Sequence, residues 1–169
     1  MLGVERQQAI KTELIAAETP ISANTFAKKF GVSRQTIVGD IALLRAAGEE
    51  IVSTTQGYRY QPGYAYSQIV VVQHNAEQME AELMALVDVG VTIQDVQVEH
   101  PLYGLLKGEL ALDSSETVEH FLKQYHTSQG ALLSSLTSGL HMHTLKYDQP
   151  EQLVQAKAKL AELGILYEN

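Results

Sequence analysis

Residues 31 to 45 read GVSRQTIVGDIALLR, and this stretch restricts the fold more than any other part of the 169-residue chain. Gly31 supplies a flexible turn, Ser33 is placed to cap a helix through its hydroxyl, and Ile37, Ile41 and Leu44 recur at i, i+4 and i+7. Burying that stripe leaves Arg34, Gln35 and Thr36 exposed on the first turn. Such side chains hydrogen-bond base edges and phosphates where a helix-turn-helix inserts its second helix into the major groove. The spacing therefore predicts a recognition helix over Ser33 to Arg45.

The flanking segments complete a small domain. Ala9, Ile10, Leu14 and Ala17 share one stripe of a first helix over residues 4 to 17, which Pro20 ends. Ser22 caps a short helix to Phe30 in which Phe26, Ala27 and Phe30 are the buried side, while Lys28 and Lys29 stay in solvent. After Gly48, IVSTTQGYRY is β-branched and aromatic around Gln56-Gly57, the pattern of a hairpin. Three helices and a hairpin make a winged helix with Arg59 in its wing. A helical stripe with a glycine turn also occurs in plain helix-rich cores, but the wing and the Ser-Arg-Gln-Thr helix start favour DNA binding. The candidate DNA contacts are Lys28, Lys29, Ser33, Arg34, Gln35, Thr36, Gly39 and Arg59. Gly39 costs about 1 kcal/mol relative to alanine inside a helix, and close approach of the backbone to DNA rationalises it.

QPGYAYS, with Pro62 and Gly63, reads as a linker, giving a winged helix over residues 1 to 62 and a second domain over 67 to 169. The net charge of −8 divides at that boundary. Residues 1 to 66 carry seven Lys and Arg against six Asp and Glu, whereas residues 67 to 169 carry five against fourteen. A near-neutral reader has a weak electrostatic hold on DNA, which favours a dimer that doubles the contacts. No apolar run reaches the roughly 20 residues of a membrane span, and no signal-peptide layout opens the chain, so a cytoplasmic protein is expected. Zero cysteines leave only histidine and carboxylate as metal ligands.

The second half mixes strands and helices without a strict βαβ repeat. Ser67 to Gln73 is a short apolar run, and Asn75 caps a helix whose Met79, Leu83, Leu86 and Val87 share a face before Gly90 closes it. Residues 91 to 99 alternate as a half-buried strand, and Leu102 to Leu112 form a pair of strand segments around Gly104 and Gly108. Asp113 or Ser114 caps a helix to Tyr125, residues 139 to 146 form a strand, Pro150 starts a helix to about Leu163, and Ile165 to Tyr167 form a terminal strand. The expected architecture is an α+β sandwich.

Its sharpest chemical feature is His141-Met142-His143. Residues two apart on a strand project from one face, as a chelating pair must, although two half-exposed histidines on a sheet edge have the same pattern. His74 stands where a strand ends and a helix begins. Glu82 falls about −60° from Met79 on the helix, at the border of its buried face, where it is either a ligand or an ordinary border carboxylate. Three histidines and a carboxylate suit Zn²⁺, Ni²⁺, Fe²⁺ or Co²⁺. His100 precedes Pro101 in a turn where Tyr103 packs nearby, or it lines a ligand cavity; Thr137, Ser138 and Thr144 flank the His-x-His strand with hydroxyls. His120 and His126 are assigned to the surface.

VSRQTIVGDIALLRAAG followed by QGYRY is close to the winged helix of many bacterial regulators. VVQHNAEQMEAEL, VEHPLYG and LTSGLHMHT are similar to the three segments of the three-histidine (3H) domain. Together they resemble the niacin-responsive transcriptional repressor family. The resemblance implies a homodimer that senses nicotinic acid as corepressor and represses genes of NAD synthesis or niacin uptake. It also implies one divalent metal per chain on His74, Glu82, His141 and His143, with His100, Tyr103, Thr137 and Thr144 as candidate contacts of the ligand. Two rival readings are a metal-dependent hydrolase with a helical accessory domain and a purely metal-responsive regulator. The hydrolase reading lacks a general base in a His-Glu-x-x-His type of spacing.

Overall fold

The computed structural model describes residues 1–169 apart from Pro62, Gln129 and Asn169, so Pro62 of the expected linker lies outside the described residues. Two compact units, Met1–Gly63 and Tyr64–Asn169, each enclose their own core.

The first unit runs α1 (Gly3–Ala16), α2 (Ala23–Phe30), α3 (Arg34–Ala46), β1 (Ile51–Thr54) and β2 (Gly57–Tyr60). The hydroxyls of Ser22 and Ser33 accept from the amides of Thr25 and Thr36, and so set the starts of α2 and α3. Gly31 joins the two helices in the left-handed region at φ 66°. Ile10, Leu14, Phe26, Ile37 and Ile41 fill the core. α1 ends at Ala16, with Ala17 already extended, and Ala9 and Ala17 are only half-buried. The hairpin is held against the chain before α2, because Ile21 and Tyr58 exchange both backbone hydrogen bonds at 2.9 and 2.8 Å. Gly57 permits this approach: its φ is 137°, and a Cβ there would stand 2.6 Å from the Ile21 backbone. Asp40, which periodicity alone does not place inside, is buried on α3 and accepts from Arg6 Nε at 2.6 Å and Gln7 Nε2 at 3.1 Å.

The second unit runs β3 (Tyr66–Gln73), a 3-10 turn (Ala76–Gln78), α4 (Met79–Asp88), β4 (Thr92–His100), β5 (Gly104–Leu112), α5 (Ser115–Thr127), a second 3-10 turn (Leu133–Thr137), β6 (Leu140–Tyr147) and α6 (Pro150–Glu162). The strands form one antiparallel sheet in the order β3-β6-β4-β5. Val70, Val72, Ile93, Leu112 and Leu145 from the sheet share a core with Leu83, Leu86, Val118 and Leu160 from the helices, which makes an α+β two-layer unit.

Four expectations change here. β4 is buried along most of its length rather than half-buried, because it lies between β6 and β5. Residues 104–112 form one strand, and the irregularity is a bulge: Ile93 pairs with Leu112 but Asp95 with Glu109, with Ala111 at φ 51°. Ile165 is buried, yet Leu166 makes an isolated bridge to Val72, so among the described residues the expected strand Ile165 to Tyr167 is not a regular one. His120 is half-buried with its Nε2 enclosed, rather than on the surface. Of the two candidate caps for α5, Ser114 is the one whose side chain accepts from Thr117 N.

Candidate metal centre and nucleic-acid interface

β6 brings the His-x-His pair inward. Its residues alternate half-buried and buried, and His141 and His143 fall on the core side opposite Val72 and Val70 of β3. His74 follows β3 directly and lies beside the start of β6, its amide donating to Gly139 O at 3.3 Å. Gly139 must be glycine for this: its φ is 86°, and a Cβ would overlap the His74 carbonyl. Glu82 comes from α4, on the same buried side as Met79, Leu83 and Leu86, and is 1% exposed rather than at the border of that face.

The three imidazoles converge on this carboxylate. His74 Nε2 meets Glu82 Oε2 in a short contact, and Glu82 Oε1 lies 2.8 Å from His143 Nε2 and 3.4 Å from His141 Nε2. The His141 ring is edge-on to both others at centroid separations of 4.8 Å. One ligand atom each from His74, Glu82 and His141 lie within 4.8 Å of one another.

Each Nδ1 faces a backbone carbonyl instead: Asn75 at 2.6 Å from His74, Gly139 at 2.8 Å from His141 and Asp95 at 2.7 Å from His143. A carbonyl only accepts, so each Nδ1 carries a hydrogen, and Nε2 is the nitrogen each ring turns to Glu82 and offers to a metal. His143 Nε2 and Glu82 Oε1 are close but lack hydrogen-bond geometry, leaving both enclosed without such a partner. His74, Glu82 and His141 thus form a group close enough to share one ion, His143 adjoins it through Glu82 Oε1, and imidazole nitrogens with a carboxylate oxygen fit a divalent transition metal.

Burial opposes the charged form of His74 and of His143, but the hydrogen bond and charge of Glu82 outweigh it, and both pKa values lie above the ordinary imidazole value. Burial likewise opposes ionisation of Glu82. The charge of His143 and the close approach of the His141, His143 and His74 rings overcome this, and its pKa is well below the usual carboxylate range. A raised histidine pKa contributes stability that is full below the unfolded value and is lost as pH rises through the folded one. A depressed carboxylate contributes stability that is lost only as pH falls through its folded pKa. Chelator-treated protein is therefore expected to melt at progressively lower temperature as pH is raised above about 6.5. Thermal melts across that range in excess chelator check this, and a rising melting temperature would contradict it.

Beside the cluster lies a cavity of about 40 Å³, walled by Val96, Leu110, Phe121, Leu132 and Leu133. A more open hollow of about 470 Å³ also reaches His74 and shares Leu132 and Ser134 with that cavity, and Tyr125, Ser135 and Ser138 line it too. Four expected ligand contacts are placed elsewhere or are already engaged. His100 and Tyr103 close the β4–β5 hairpin, where His100 Nδ1 accepts from the amides of Leu102 and Tyr103 and Tyr103 is 71% exposed. Thr144 falls on the sheet face opposite His143 and accepts from Gln97 at 3.0 Å. Thr137 borders the cluster's loop, but its hydroxyl is engaged with the carbonyls of Ser134 and Leu140. Tyr125 and Ser134, which no sequence pattern singles out, stand at the hollow instead.

In the first unit Lys28, Lys29, Ser33, Arg34, Gln35 and Gly39 are exposed, while Thr36 and Arg59 are half-buried. Thr36 is partly covered because it closes the cap: its hydroxyl lies 2.8 Å from Ser33 Oγ and its amide donates to the same atom. Lys29 pairs with Glu13 at 2.7 Å. Arg34 and the wing residues Ser53 to Tyr58 border a polar hollow of about 330 Å³. Apart from its chain neighbours and the adjoining backbone of its own helix, no heavy atom among the described residues lies within 4 Å of where a Gly39 Cβ would stand.

A winged helix-turn-helix joined to an α+β unit with a buried His₃Glu cluster is the architecture of a DNA-binding regulator. Residues 67–169 match the family model of the 3H domain, and residues 6–59 match that of an HTH domain. Transcription repressor NadR of Bacillus subtilis is 38% identical across 98% of this chain and 95% of its own length. Probable transcription repressor NiaR of Thermotoga maritima is 36% identical across 97% of this chain and 94% of its own. The chain belongs to the family of helix-turn-helix transcription repressors that carry a 3H domain, and it is a regulator rather than an enzyme. The hydrolase reading falls with that assignment. Among the described residues no helix is long and apolar enough to cross a membrane.

Proposed function

We propose that this protein is a cytoplasmic, metal-dependent repressor of NAD synthesis or niacin uptake genes, with nicotinic acid as its corepressor. One observation carries the metal: His74, His141 and His143 each tie Nδ1 to a backbone carbonyl and turn Nε2 toward buried Glu82. A buried ionic cluster of this kind is weak as a stabilising device, and ligation is the role its chemistry suits. A divalent ion such as Zn²⁺, Ni²⁺ or Fe²⁺ held by these four residues would supply a Lewis acid for a pyridine carboxylate. Leu132 and Leu133 line the apolar wall beside the cluster, and Tyr125 and Ser134 offer hydroxyls to a carboxylate in the adjoining hollow. The identity of the ligand rests on the resemblance of the three histidine segments to niacin-responsive repressors.

Two copies would place their α3 helices in successive major grooves about 34 Å apart on a double-stranded operator, with Arg34 and Gln35 reading bases. A ligand shifts such an equilibrium only by binding one dimer geometry better than the other. DNA selected by the metal-loaded protein from a random pool, titrated with and without nicotinic acid, tests the reading. The expected result is at least about fivefold tighter binding with the acid. Unchanged affinity would remove the sensor, and a switch produced by metal alone would replace it with a metal-responsive regulator.

A further inference from the structure

The cluster is braced from the far side of the sheet. Asp95, on central strand β4, is 2% exposed although it is a carboxylate. Its Oδ1 accepts from the backbone amide of Thr144 at 3.0 Å and from Gln97 Nε2 at 3.1 Å, and its Oδ2 lies 3.7 Å from Lys107 Nζ. Gln97 also donates to Thr144 Oγ1 at 3.0 Å, which closes a three-residue brace between β4 and β6. The main-chain carbonyl of Asp95 itself receives the Nδ1 hydrogen of His143 at 2.7 Å.

Ladder pairing does not supply this brace. The β4–β6 register breaks between Ile93 and Gln97, and the β4–β5 register breaks between Ile93 and Asp95. Asp95 therefore stands where regular strand hydrogen bonds no longer hold β4 against β6. Its carboxylate replaces them by taking the amide of the residue next to His143. A buried carboxylate with these partners is a costly choice for a purely structural position, where an apolar side chain would serve.

We propose that Asp95 is a positioning residue: by clamping Thr144 N it fixes its own carbonyl on His143 Nδ1, and so sets the tautomer and direction of the His143 ring. The proposal rests on the metal reading given above for its effect on affinity, but the ring's tautomer is a property of the metal-free protein as well. Outer-shell partners of this kind change metal affinity by about 10- to 100-fold when removed.

The test compares wild type, D95A, D95N and the core variant I93V. Long-range proton–nitrogen NMR of the metal-free proteins, at a pH where the imidazoles are neutral, reads the His143 tautomer, and competition with a chromophoric chelator reads Zn²⁺ and Co²⁺ affinity, with the Co²⁺ visible spectrum alongside. The expected result for D95A is mixed His143 tautomers, affinity lower by about 10- to 100-fold and an altered Co²⁺ spectrum. D95N keeps an acceptor for Thr144 N and is expected to restore all three, while I93V lowers the melting temperature without changing any of them. If D95A does not fold, D95S is read in its place with the same expectations. A single Nδ1-protonated tautomer in D95A together with wild-type metal affinity would overturn the proposal. Wild-type protein that binds neither ion would overturn the metal reading, and the tautomer comparison would still decide the role of Asp95.

Discussion

Replacing Glu82 by glutamine is expected to abolish stable metal binding and to destabilise the second unit by about 3–5 kcal/mol in chelator. Both effects arise from the same geometry. Glu82 is the only anionic group contacting His74, His141 and His143 among the described residues, and all four side chains are 9% exposed or less. Without the carboxylate, any charge on these imidazoles has no counter-ion inside the protein, so they must lose their protons or open to water. With a divalent ion, the variant would leave two uncompensated positive charges among neutral ligands. Metal content after dialysis and melting in excess chelator separate the two effects. Full metal retention in E82Q would remove Glu82 from the ligand set, and an unchanged metal-free melting temperature would remove its role as counter-ion.

G139A is expected to be nearly as damaging, although it adds only a methyl group. At φ 86° a non-glycine residue costs about 1–3 kcal/mol, and the added Cβ would also overlap the carbonyl of His74. The neighbouring Ser138 is already left-handed at φ 54°, so the turn has little freedom to absorb a further shift. Displacing it moves two ligands together, because Gly139 O holds both the amide of His74 and the Nδ1 of His141. Metal affinity should fall by at least about tenfold, as for loss of an outer-shell partner, while melting of the winged helix is unaffected. Competition with a chromophoric chelator reads the first, and a G139A protein that binds metal like wild type would show that the turn tolerates the methyl group.

The winged helix was legible because its signals are local. Ser22 and Ser33 act as caps, Gly31 turns, and Ile37, Ile41 and Leu44 are all buried on one stripe. The buried Asp40 was not legible, since its partners Arg6 and Gln7 lie more than 30 residues away and only the folded chain brings them together. In the second unit, period two placed His141 and His143 on one face. The same rule places Thr144 on the other, which excludes it from the cavity without any structure. A helical wheel leaves Glu82 at the border of the face because it registers the helix's own apolar residues but not three imidazoles arriving from other elements. The outward turn of His100 and Tyr103 follows from the β4–β5 pairing, and the hollow at Tyr125 and Ser134 from the chain after α5; neither leaves a periodic trace.

Calorimetric titration of nicotinic acid into metal-loaded and chelator-stripped protein tests the central claim most directly, with E82Q as the control that holds no metal. The account predicts saturable binding to the loaded protein, and at least about tenfold weaker binding to both the stripped protein and E82Q. Equal affinity in all three forms, or no binding to the loaded form, would contradict it.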